Sequence, residues 1–170
     1  WFLTLVIALL VAIAAIFLLN RYYRKATREV ALVRTGAGGQ QVVLDGGCIA
    51  VPFLHKITEV NMRTSKLEIA RVGEKSIITS DRLRVDAGAE FYVRVQGDAQ
   101  GVSTAAQALA GKTFRASDLA DTLEGKLVDA MLSVAARYTM DGLQDERAKY
   151  SADVAQMLSE NLRQNGLVLE

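Results

Sequence analysis

The opening of the chain constrains it most: from Trp1 to Leu19 there is no charged residue, and Thr4 is the only polar one. Nineteen residues in a helix make a rod of roughly 28 Å, close to the thickness of a bilayer's hydrocarbon core. Arg21, Arg24, Lys25 and Arg28 follow at once, with Tyr22 and Tyr23 among them. Cations and aromatic rings are what a helix end needs at the level of the lipid headgroups. The sequence therefore predicts a transmembrane helix over 1–20 and a basic juxtamembrane segment over 21–27. Its interface residues are Arg21, Tyr22, Tyr23, Arg24, Lys25 and Arg28. A cleaved signal peptide is the competing reading, and Ala12-Ile-Ala14 resembles a cleavage site. Cleavage there would leave Ala15 to Leu19 exposed at a new terminus, and the basic cluster stands on the wrong side of the apolar run. With a retained helix, the positive-inside rule expects everything after Arg21 in the cytoplasm. Trp1 in place of Met, and an end inside the apolar alternation Leu167 to Leu169, lead us to expect a segment of a longer protein.

The remaining 150 or so residues suffice for one ordinary domain or two small ones packed together. A net charge of +1 lacks the basic footprint that nucleic-acid binding leaves, so no nucleic-acid partner is expected. Cys48, the single cysteine, has no disulfide partner in the chain, and the single proline, Pro52, leaves no Pro-rich arm.

From about Arg28 to Val95 the dominant period is two. The cleanest stretch alternates Ala87, Ala89, Phe91, Val93 and Val95 with polar or small residues, as a strand with one buried face does. Val60 and Met62 keep one phase and Leu67 and Ile69 the other, which predicts a bulge or break near Ser65 and Lys66. Gly36 to Gly39 and Asp45 to Gly47 read as turns flanking a short strand over Gln41 to Leu44. After Gly97 the period becomes helical. A short helix is expected over Ala99 to Ala110. A longer one carries Leu119, Leu123, Leu127, Met131 and Val134 or Ala135 on one face, with Ser117 as N-cap. A last helix runs from about Asp145 to Gln164, its apolar face at Ala148, Ala152, Ala155, Leu158 and Leu162. Asn165-Gly166 stops it before a final strand at Leu167. Strands first and helices second indicate an α+β fold.

Catalytic chemistry has little to work with. His55 is the only histidine, so a His-based metal pair or proton relay is out of reach, and no metal, cofactor or catalytic residue is expected. Cys48 and His55 could form a nucleophilic pair, but no third orienting group is in view, and a buried structural cysteine is the better reading. The glycines at 36 to 39 precede a strand rather than a helix N-terminus and lack a following GK[ST], which disfavours a phosphate loop. Glu68, Glu74, Asp81 and Asp86 are interleaved with Arg71, Lys75, Arg82 and Arg84 like an ordinary solvated surface. The chain does not read as an enzyme.

Several segments resemble bacterial flotillins: Glu29 to Gly39, Val43 to Gly47, Pro52 to His55, Thr79 to Val85, Glu90 to Val95, Glu124 to Ala130 and Asn165 to Leu167. Flotillins belong to the SPFH family, named for stomatin, prohibitin, flotillin and the HflK/HflC pair. The resemblance implies a strand-rich lobe over 28–80 and an αβ lobe over 81–170, with a coiled-coil region beyond residue 170. It also implies a bacterial inner-membrane protein that assembles with many copies of itself into rings or cages. Such a scaffold organises microdomains of lipids and membrane-protein clients. The alternative is the prohibitin-like regulation of a membrane-bound protease.

Two further expectations concern surfaces. The apolar run Ile49 to Leu54 is either plain core or, in the sharper reading, a loop whose Phe53 and Leu54 dip into the inner leaflet. Paired helix charges at Asp145, Glu146, Arg147, Lys149, Glu160 and Arg163 are candidate contacts between neighbouring subunits.

Overall fold

The computed structural model describes all 170 residues. Helix α1 spans Phe2–Tyr22 and buries none of its 21 residues against the rest of the chain. It is apolar on every side rather than along one stripe, as a helix surrounded by hydrocarbon must be. It is the one helix here long and apolar enough to cross a membrane.

Five short strands follow: β1 (Tyr23–Lys25), β2 (Val30–Gly36), β3 (Gln41–Val43), β4 (Gly47–Ile49) and β5 (His55–Asn61). Strand β2 is central in an antiparallel sheet of order β3-β2-β5, while β1 and β4 form a separate antiparallel ribbon. Being central, β2 is buried on both faces. Ala31 and Val33 join Val60 in the main core, and Leu32 meets Ala26, Val43 and Cys48 in a small cluster on the other side. Cys48 is therefore a buried apolar filler.

The change of phase after Met62 is a break rather than a bulge. The chain leaves the first sheet at Asn61 and enters a second at β6 (Ser65–Arg71). A hairpin of β7 (Ile77–Ile78) and β8 (Arg84–Val85) comes next, then β9 (Ala87–Val95). Strand β9 sits between β6 and the last strand, β10 (Leu167–Leu169). Thus β6 pairs with a strand that lies well beyond it along the chain. A strand's own residues do not specify which distant strand it will pair with.

The two long helices at the end of the chain pack on this second sheet, and the shorter one before them packs mainly on the first. Helix α2 (Ala99–Ala108) starts at Asp98, whose side chain accepts from Gly101 N at 3.0 Å. Helix α3 (Ala116–Ala135) presents Leu119, Leu123, Leu127, Met131, Val134 and Ala135 to the core, on the expected face. Its cap is not Ser117. A 3-10 turn over Ala110–Phe114 leads directly in and leaves Arg115 at the cap position with no side-chain cap.

The last predicted helix is two elements, α4 (Met140–Asp145) and α5 (Arg147–Arg163). Thr139 caps α4 by accepting from Gly142 N, and Glu146, between the two, departs from helical geometry. The buried face of α5 is Val154, Leu158 and Leu162, whereas Ala148 and Ala152 are exposed. Alanine carries too little apolar area to decide which stripe turns inward. Residues from both sheets and from helices α2, α3 and α5 make one core of 26 buried residues.

Candidate membrane-facing surface

No linker separates the membrane helix from the domain. The residue after α1, Tyr23, already begins β1, and the β1–β4 ladder pairs Tyr23 with Ile49, Arg24 with Cys48 and Lys25 with Gly47. Two hydrogen bonds extend the ladder: Ala50 N donates to Tyr22 O at 2.9 Å, and Ala26 N to Gly46 O at 2.8 Å. Gly47 makes the close approach feasible. The Tyr23 ring lies where a Cβ at position 47 would stand, 2.4 Å from its nearest atom. The juxtamembrane segment is therefore a built part of the domain. The sequence reading missed the strand because three residues rich in cations carry no alternation of apolar side chains.

The same ribbon fixes the loop after β4. Val51 O accepts from Leu54 N at 3.0 Å and from His55 N at 2.8 Å, closing residues 51–55 into a compact turn. Both ring nitrogens of His55 engage backbone: one lies 3.3 Å from Val51 N and the other 3.1 Å from Ala37 O. Ala37 N in turn donates to Leu54 O at 3.1 Å. Gly36, with φ of 142°, passes so close to Leu54 O that any side chain there would collide with it. The turn at Gly36 to Gly39 and the loop at 50–54 are thus tied together, and His55 is occupied as a structural clasp. Arg34 adds a bond from Nη1 to Ile49 O at 3.1 Å.

What this scaffold exposes is apolar. Phe53 is 96% exposed, Leu54 57%, Ile49 47% and Tyr23 43%. Within this chain Ile49, Phe53 and Leu54 are therefore not part of the core, while Ala50 and Val51 are partly covered. Arg21, Arg24, Lys25 and Arg28 are all exposed, Tyr22 is partly covered, and no ion pair in the chain uses any of the four cations. Exposed apolar side chains beside unpaired cations, carried on a ribbon whose backbone is hydrogen-bonded to the end of a membrane-length helix, suit a lipid interface.

The other charges singled out in the sequence are scattered. Lys66 lies 2.9 Å from both Glu68 and Glu90, and these carboxylates hold its ammonium well above the ordinary lysine range. Asp86 accepts from Gly73 N, and Asp81 accepts from the Thr79 hydroxyl, which holds its carboxyl below the usual range. Of the helix charges, only Glu146 and Lys149 pair, at 3.2 Å within one turn.

Residues 26–170 match the SPFH domain / Band 7 family. The chain belongs to this family. It is 44% identical, over all 170 residues, to the flotillin family inner membrane protein YqiK of Escherichia coli (strain K12), covering 31% of that protein. It is 32% identical over 161 residues to the flotillin family inner membrane protein sll1021 of Synechocystis, covering 92% of this chain and 24% of that one. It is also 26% identical over 176 residues to the flotillin-like protein FloT of Bacillus subtilis, covering 95% of this chain and 33% of the relative. The chain thus spans a third or less of the length of these curated relatives. An SPFH domain behind an N-terminal apolar helix accords with relatives named as inner membrane proteins.

Proposed function

We propose that this chain is the membrane-anchored part of a flotillin-like scaffold that assembles into closed rings or cages and organises membrane microdomains, with its SPFH domain in the cytoplasm. The observation that carries this reading is the continuity of α1 with the β1–β4 ribbon. A domain joined to its anchor without a linker keeps one height and orientation on the bilayer, so identical neighbours meet with matching faces. In a ring that contact is head-to-tail, and each subunit adds an anchor, so membrane attachment grows by avidity. Arg21, Tyr22, Tyr23, Arg24, Lys25 and Arg28 hold the interface, and Phe53 and Leu54 dip into the inner leaflet beside them.

Helix charges alone are too weak to assemble the ring. Exposed ion pairs contribute about 0.2–1 kcal/mol each, so the soluble portion is expected to be monomeric at micromolar concentration. Imaging the full-length protein, extracted from membrane in mild detergent, tests the proposal. Closed assemblies of many copies are expected, and a monomer in the membrane would end the scaffold reading.

A further inference from the structure

We infer that a cleft between the end of β6, the β7–β8 hairpin and the end of α3 is a binding site for an organic phosphate, its charged group held by Arg71 and its apolar part resting on Ile78 and Leu132. The cleft has a volume of about 500 Å³ and is lined by Arg71, Lys75, Ser76, Ile78, Thr79 and Leu132, among others. It lies outside the membrane-facing surface described above.

Arg71 makes the case. Along β6 the side chains of Leu67 and Ile69 turn inward and are buried, and the alternation puts Arg71 on that same inward face. Arg71 is itself only partly buried, and each of its polar atoms that is taken out of water is costly without a hydrogen-bond partner. Arg71 makes no ion pair or hydrogen bond, and its Nε is buried without a partner. Positions that break the local pattern in this way are expected to be functional or strained sites.

The surroundings point to an anion. Arg84 stands directly across the ladder from Ile78, so the two side chains share a face. Arg71, Lys75 and Arg84 are all without acidic partners, while nearby Asp81 and Asp86 are turned to Thr79, Met140 N and Gly73 N. Of the three buried polar residues in the chain, two, Ser76 and Thr79, line this cleft. Their hydroxyls bond to Gly73 O, Asp81 and Leu83 O, which fixes the walls. A planar guanidinium inside a fixed wall suits bidentate contact to a phosphate. Ile78, half exposed, and Leu132 supply an apolar floor. Arg71 and Lys75 also lie near the carbonyl end of α3, where cations are favoured. A purely capping role for Arg71 is the reading to be separated.

The test uses the full chain in neutral detergent, titrated calorimetrically with hexyl phosphate and, as uncharged control, hexanol. Hexyl phosphate is expected to bind and hexanol not. Arg71→Met should weaken binding by about tenfold or more, the loss of a charge-assisted hydrogen bond, with Tm unchanged or raised. Lys75→Gln, at an exposed position, should weaken it severalfold. In vesicles, competition by phosphatidylglycerol against hexyl phosphate would identify a lipid headgroup as the source of the phosphate, and its absence a soluble one. Binding unaffected by Arg71→Met, a Tm lowered by that variant with hexyl phosphate affinity intact, or no binding of hexyl phosphate by the unmodified chain would each overturn the assignment.

Discussion

Replacing Phe53 and Leu54 together by serine separates lipid contact from folding. The piece to use starts at Tyr22, because β1 begins at Tyr23 and the Tyr22 carbonyl still accepts from Ala50 N. Phe53 is 96% exposed and Leu54 57% exposed, so the domain loses little buried area. Surface changes of this kind stay within about 0.5 kcal/mol, a Tm shift of about 1–2 °C for a domain of this size. In the bilayer the same side chains have much to lose. Full burial of Phe53 contributes about 1.5–3 kcal/mol, and Leu54, with about half its surface free, adds less. A total of about 2–4 kcal/mol corresponds to a fall of about 30- to 700-fold in partitioning. Co-sedimentation with phosphatidylcholine/phosphatidylglycerol vesicles reads this directly. High salt suppresses the contribution of Arg24, Lys25 and Arg28, leaving the apolar one. Vesicle binding equal to that of the unmodified piece would refute insertion, and a Tm lowered by about 5 °C or more would show that the loop supports the fold.

Other outcomes follow from single contacts. Gly47→Ala puts a Cβ 2.4 Å from the Tyr23 ring and 2.8 Å from Arg24 O; it should cost about 1–3 kcal/mol, measured as a fall in Tm. Adding Tyr23→Ala should restore only part of this, because the backbone clash stays. Tyr138 donates to Asp153 Oδ2 at 2.6 Å, and that bond, with burial and the nearby negative charge, pushes its phenol up to about 12. The folded value lies above the unfolded one of about 10, so this contribution is fully present below pH 10 and disappears as pH rises through 12. Tyr138→Phe should flatten that alkaline limb in Tm-against-pH curves, leaving the smaller part due to Tyr150, whose phenol burial also raises. A protease-sensitive tag after Gly166 should be protected in intact cells and cut in inverted vesicles; cleavage from outside would reverse the assigned orientation.

Features that depend on neighbouring residues were legible in the sequence. Helix α1 announces itself by nineteen uncharged positions, β9 by its alternation and α3 by leucines spaced three and four apart, because each pattern repeats within one element. The turns at Gly36 to Gly39 and Asn165-Gly166 are equally local. Pairings between distant residues were not legible. Nothing in Tyr23-Arg24-Lys25 says that it will form a ladder with Gly47 to Ile49, and nothing in Ser65 to Arg71 names β9 as its partner. The alanines of α5 were too small to reveal its buried face, and Glu146 divided what reads as one helix. Exposure was likewise decided by tertiary structure: Ile49 to Leu54 has the composition of core, yet the clasp between His55 and Ala37 turns Phe53 and Leu54 outward. Arg71 looks like one more surface charge in its mixed run. Only the packing of β6 on α3 sets it facing inward, because burial is a property of what lies opposite a residue, not of the residue itself.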